Sequence, residues 1–195
     1  FSEAYAHARA DSNGITVGEA LESIGYRGET PARAFPVHAC YELHIEQGPI
    51  LEDEALDIGL VRAAMGQRWF TLTLDGFAAH AGTTPMHSRR DALTAFAELA
   101  LKVEEIGYRH APDGRATIGM AKVTPNSRNV VPSRVECSVE FRHPAQAALE
   151  AMEAALHKVA ESLSLRGVSD LVDRIFDYAP IPFAADCLAP VSYTH

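Results

Sequence analysis

The chain has 195 residues, of which 47% are apolar and 22% charged, the balance of an ordinary folded domain. It carries 17 Lys plus Arg against 26 Asp plus Glu, a net charge of −9. That sign repels phosphate backbones and sets nucleic acid aside as a partner. No apolar run approaches the length that crosses a bilayer, so no membrane association is expected.

The N-terminal residues 1–10 are Ala-rich and read as the end of a helix, broken at Gly14. Thr16 to Ile24 reads as a short helix, with Thr16 as N-cap, Glu19 three residues later, and Gly25 as its stop. A Pro- and Arg-containing loop follows to Val37. Residues 39–46 (ACYELHIE) alternate as a strand, with Tyr41, Leu43 and Ile45 on one side and Cys40, Glu42, His44 and Glu46 on the other. Gly48-Pro49 ends it, a helical turn is expected at 50–54, and a second short strand at 58–63.

A different unit begins at Gly66. Residues 67–75 alternate, with Phe70, Leu72 and Leu74 on the apolar side. A Gly- and Thr-rich loop leads into a helix at 90–106, whose stripe is Leu93, Phe96, Ala97, Ala100 and Val103. Strands are expected at 116–123 and 134–142, joined by the turn-rich TPNSRNVVPS. The second of these buries Val135, Cys137, Val139 and Phe141. Pro144 suits the first turn of a helix over 145–165, with Leu149, Met152, Leu156, Val159 and Leu163 inward. A last strand is expected at 171–178. The order β-α-β-β-α-β is the ferredoxin-like pattern, an antiparallel four-stranded sheet with two helices on one face and the other face free.

Three places carry candidate chemistry. His44, in HIEQGP, lies at a strand end beside a turn, where ligands often sit. It is either a metal ligand, with Glu42 and Glu46 on its strand face, or a structural histidine bonded to a carboxylate. His80, in HAGTTPM, lies among small residues that let a backbone approach closely. It is either a hydrogen-bond donor to a developing oxyanion or an exposed turn residue. Arg142, on the free sheet face, could grip a carboxylate bidentately with help from Asn129, or simply pair with Glu140 or Glu136. The three cysteines, Cys40, Cys137 and Cys187, are widely spaced and odd in number, which points away from a disulfide framework and towards a reducing, cytoplasmic setting.

Taken in order, HIEQGP, HAGTTPM with RRDAL, PNSRNVVP and FRHP resemble the hydantoinase/carbamoylase group of the M20 metallo-amidohydrolases. The resemblance runs from about residue 14 to 183. It implies an α/β (α+β) protein: residues 1–64 as a partial piece of a metal-binding α/β catalytic domain, 65–180 as a ferredoxin-like lid and dimerisation domain, and 181–195 as a return towards the catalytic domain. It further implies two divalent metal ions (zinc, manganese, cobalt or nickel), with His44 as one ligand. Gln47 would contact the substrate, His80 would steady the tetrahedral oxyanion, and Asn129 and Arg142 would bind the substrate carboxylate. Lid groups in this group of enzymes often serve the partner subunit's site in a homodimer.

The implied reaction is hydrolysis of a linear ureido or amide C–N bond in an N-carbamoyl-L-amino acid. An allantoate amidohydrolase, or a non-catalytic dimerisation and carboxylate-binding module, stands as the alternative. The resemblance also calls for a His-x-Asp, a bridging Asp, a Glu-Glu pair holding the general base, and a late His. None of these is assignable here, since Glu104-Glu105 falls on the expected lid helix. The chain is therefore read as an internal fragment, inactive alone. Val191 to His195 match one reading frame of a transposon-end sequencing adapter, so His195 is not assigned as a ligand.

Overall fold

The computed structural model describes residues 2–31 and 35–192; the adapter-like residues 193–195 lie outside them. Two compact units form, Phe1–Pro49 and Ile50–His195.

In the first unit, helix α1 (Glu3–His7) is followed by α2 (Val17–Ser23). The expected capping box is present: Thr16 Oγ1 accepts from the Glu19 N–H, and the Glu19 carboxylate accepts from the Thr16 N–H. The expected strand at 39–46 is absent. Those residues carry no ladder among the described residues, and Tyr41, Leu43 and Ile45 all face solvent. Alternation makes a segment able to be a strand, but a strand exists only when its N–H and C=O groups meet a neighbour's.

The second unit opens with helix α3 (Ile50–Asp53), as expected. The strand expected at 58–63 shrinks to β1 (Ala63–Ala64), whose ladder partner is Ile181–Pro182. The main sheet is built from β2 (Gly66–Asp75), β4 (Arg115–Thr124), β6 (Arg134–His143) and β7 (Ser169–Tyr178). Two small strands, β3 (Ala79–His80) and β5 (Val130–Val131), pair outside it, and β8 (Ile181–Pro182) partners β1. Helices α4 (Ala92–Arg109) and α5 (Gln146–Leu163) are the expected pair, and α6 (Ala185–Ser192) ends the described chain.

The sheet order is β4-β6-β2-β7, every neighbour antiparallel. That is the ferredoxin-like arrangement expected from the element order. Phe70, Leu72 and Leu74 from β2 meet Val135, Cys137, Val139 and Phe141 from β6. Helix α4 adds Ala92, Ala95, Leu99, Val103 and Ile106, and α5 adds Leu149, Met152, Leu156 and Leu163. The α4 face is rotated from the expected stripe: of that set only Val103 is buried, while Leu93 and Ala97 are exposed. Helix α4 begins two residues later than expected, because the Asp91 carboxylate accepts from the Leu93 and Thr94 N–H groups and fixes the N-cap there. Pro144 lies just outside α5, one residue before its N-cap Ala145, rather than in the first turn.

One charge sits among these apolar groups. Arg68 follows the inward alternation of β2 and is buried. It donates to Glu153 on α5 at 2.5 Å and to Asp177 on β7 at 3.2 Å. Arg174 shares Glu153 at 3.1 Å.

Candidate active site

The two-stranded ladder of β3 and β5 brings two of the expected site residues together. His80 is in register with Val130, and the Ala81 N–H donates to the Asn129 carbonyl at 2.9 Å. The β5 side of the ladder runs directly into β6, and the β3 side leaves from the end of β2. Gly76 is required at that exit, since a Cβ there would lie 2.1 Å from the Arg90 carbonyl oxygen.

The His80 ring has a defined hydrogen-bond state. Its Nδ1 accepts from the Gly82 N–H at 3.0 Å. An accepting Nδ1 puts the proton of the neutral imidazole on Nε2. His80 therefore presents a neutral N–H donor at an exposed loop tip, as an oxyanion donor requires. Gly82 is matched to this: a Cβ there would meet the ring at 3.1 Å. Asn129 accepts at Oδ1 from Ser127 Oγ at 2.9 Å, which leaves its amide N–H₂ as the group turned to other partners.

Arg142 stands elsewhere. It lies on the free face of β6, in one row with Arg115, Gln67 and Tyr178 across the four strands. The next row holds Glu140, Trp69 and Phe176, with the two rings 4.9 Å apart. Arg142 Nε donates to Glu140 Oε1 at 2.6 Å, and Trp69 Nε1 donates to the same oxygen at 3.0 Å. The pairing with Glu140 left open by the sequence is thus present. The β3–β5 ladder with His80 and Asn129 adjoins the Arg134 end of β6. Arg142 is eight residues further along, about 26 Å of strand. One copy of the chain brings His80 to Asn129 but not Asn129 to Arg142.

His44 and Gln47 belong to the first unit, and both are exposed. His44 Nδ1 lies 2.5 Å from the Ile45 carbonyl, so Nδ1 carries the proton and Nε2 keeps its lone pair, the form a metal ligand takes. Gln47 has φ 54°, a left-handed conformation that costs a non-glycine residue about 1–2 kcal/mol. Among the described residues, no three His, Cys, Asp or Glu side chains come together as a metal site needs. One imidazole is a ligand and not a centre, so these residues do not by themselves fit a metal ion. Glu105 is a structural carboxylate. It pairs with Lys102 and Arg109 on α4, and those partners hold it below the usual carboxylate range.

Sequence reasoning assigned no role to Arg89. Its guanidinium donates from Nε to the Thr84 carbonyl at 3.1 Å and from Nη2 to the Ala81 carbonyl at 2.6 Å, across the loop that carries His80. The signal was the RRD run just before the N-cap of α4, where a guanidinium can reach back over the preceding turn.

Residues 62–168 match the M20 peptidase dimerisation domain. The chain belongs to the M20 family. Its M20 relatives include the N-carbamoyl-L-amino-acid amidohydrolase of Rhizobium meliloti, 38% identical over 92% of this chain and 43% of that protein. The allantoate amidohydrolase of Bacillus subtilis is 34% identical over 93% of this chain and 45% of that protein. A crystal structure of a hydantoinase/carbamoylase family amidase from Burkholderia multivorans superposes with a TM-score of 0.85 at 48% identity, covering 99% of this chain and 47% of that one. The chain thus spans less than half the length of the M20 proteins it matches.

Proposed function

We propose that the polypeptide carrying this chain hydrolyses the linear ureido C–N bond of an N-carbamoyl-L-amino acid, as a homodimer. The observation that carries the reading is the His80 imidazole, held as a neutral Nε2–H donor beside Asn129. Water adds to the ureido carbonyl and places negative charge on its oxygen. The Nε2–H of His80 donates to that oxygen where the charge develops. The C–N bond to the amino acid then breaks and the amine nitrogen takes a proton. The carbamic acid released falls apart to carbon dioxide and ammonia. Arg142 exchanges Glu140 for the substrate carboxylate, and Asn129 supplies an amide hydrogen bond. Gln47 orients the ureido end.

His44 offers one imidazole to a divalent centre whose other ligands, with the general base, lie outside these 195 residues. The 195-residue chain alone is then inactive. A reducing, cytoplasmic setting accords with three free thiols among the described residues.

A small ureido acid does not reach along the strand between the β3–β5 ladder and Arg142. We therefore assign His80 and Asn129 of one copy, and Arg142 of the other, to each site. The match to a dimerisation domain supports this arrangement.

The test mixes two variants of the full-length polypeptide. Arg142→Ala alone loses about tenfold to a hundredfold in kcat/KM, chiefly through KM, for the loss of a charged hydrogen bond. His80→Ala alone loses kcat. A heterodimer of the two holds one intact site and recovers activity. No recovery on mixing overturns the shared site, and unchanged kinetics in both single variants overturns the residue roles. The likeness to the Bacillus subtilis protein makes allantoate the second substrate to assay.

A further inference from the structure

We infer that Arg89 is the positioning residue of the His80 loop, the group that sets both the tautomer and the direction of the imidazole. The inference rests on the reading of His80 as the oxyanion donor. The loop turns at 80–84, where the Thr84 N–H donates to the His80 carbonyl at 3.1 Å. Within that turn, Gly82 fixes the ring through its N–H. Gly82 itself is fixed from its flanks: the Ala81 and Thr84 carbonyls both accept from the Arg89 guanidinium, at 2.6 and 3.1 Å. One rigid fork therefore holds the two ends of the segment whose middle amide orients the histidine.

Arg89 is well placed to transmit stiffness. A short 3₁₀ turn, Met86–Ser88, precedes it, with the Arg89 N–H donating to the Met86 carbonyl at 3.2 Å. Two residues later Asp91 caps α4, whose Ala92 and Ala95 are fully buried. The clamp thus runs from a core helix to an exposed loop. Two carbonyls at a fixed spacing suit a planar guanidinium, since both N–H bonds leave one rigid group. A Lys ammonium on the same stem donates to one of them at a time. The Arg89 side chain also lines a cavity of about 330 Å³ with Met86, His87, Asp91 and Thr94. Shortening it enlarges that cavity and leaves the sheet core untouched.

The experiment uses the 195-residue chain, with ¹⁵N spectra of the His80 imidazole and hydrogen exchange at the Gly82 amide. The unaltered chain should show a protonated Nε2 and a hydrogen-bonded, unprotonated Nδ1. Arg89→Ala should give a mixture of tautomers at His80 and accelerate Gly82 exchange about tenfold, the loss of one hydrogen bond's worth of protection. The amides of β2 should stay protected. Arg89→Lys should fall between, and Arg90→Ala should change neither signal. If Arg89→Ala unfolds the sheet, Arg89→Lys decides, since it keeps the charge and stem and loses only the fork. Unchanged His80 and Gly82 signals in a folded Arg89 variant overturn the inference, as does an equal shift in Arg90→Ala. These signals do not depend on activity. Failure of the oxyanion reading would show separately, as full kcat in His80→Ala of the full-length polypeptide.

Discussion

The segment at 39–46 and the strand β2 carry the same two-residue alternation and reach opposite states. In β2 every second side chain enters a core, and β6 and β7 satisfy the backbone on both edges. In ACYELHIE the alternating side chains all meet solvent, and no ladder forms among the described residues. The contrast separates two things that alternation merges. A period of two states which face would be buried if a sheet existed; it does not supply the sheet. The stability of one region is then a matter of packing, while the other depends on what it meets.

Truncation gives the largest separation between them. Phe70 is fully buried and stacks edge-on against Phe141 at 5.9 Å, whereas Leu43 is completely exposed. Phe70→Ala should cost about 3–5 kcal/mol in urea unfolding of the sheet unit. Leu43→Ala should stay within about 0.5 kcal/mol. A comparable loss in both would mean that 39–46 packs in solution, and the contrast would collapse.

The next effect belongs to Arg68. Removing it leaves Glu153 and Asp177 facing each other across a partly buried gap, although Arg174 still reaches both. With one partner retained and Asp177 over a third exposed, Arg68→Ala should cost about 2 kcal/mol, less than a wholly buried pair. Arg174→Ala, at an exposed position, should cost under about 1 kcal/mol. Equal losses in the two variants would show that the burial of Arg68 adds nothing.

These cases mark how far the sequence could be read. Period-two alternation located β2 and β6 and a helical stripe located α5, because each buries one face and burial selects residue type; α4 was placed correctly with its buried face rotated, and the outer strands β4 and β7 bury no residue fully. Arg68 stood on the inward side of β2 and could have been flagged as a charge needing partners, but its partners come from residues 85 and 109 positions away. His80 was legible from its small neighbours. Its tautomer was not, since that is set by one amide in a folded loop. Arg142 was correctly placed on the free face, yet its distance along β6 from the β3–β5 ladder emerged only with the register. Arg89 was silent because its acceptors are main-chain carbonyls, which leave no trace in side-chain identity.

The smallest effect concerns two thiols, one in each region. Cys137 on β6 is buried in the core, and burial pushes its pKa from the usual 9.0 to about 11, because the thiolate cannot be solvated there. Cys40, within the 39–46 segment, is exposed. In the native chain at pH 8, a thiol reagent should label Cys40 promptly and leave Cys137 unmodified until the sheet unfolds. The same burial has a pH consequence. Between pH 9 and 11 the unfolded chain releases the Cys137 proton while the folded chain keeps it. The folded state then binds more protons, so stability falls as pH rises through that window. Cys137→Ala should flatten that part of the slope, and Cys40→Ala should leave it as it was. A slope that survives Cys137→Ala would assign the alkaline loss to other groups and remove the thiol from the comparison.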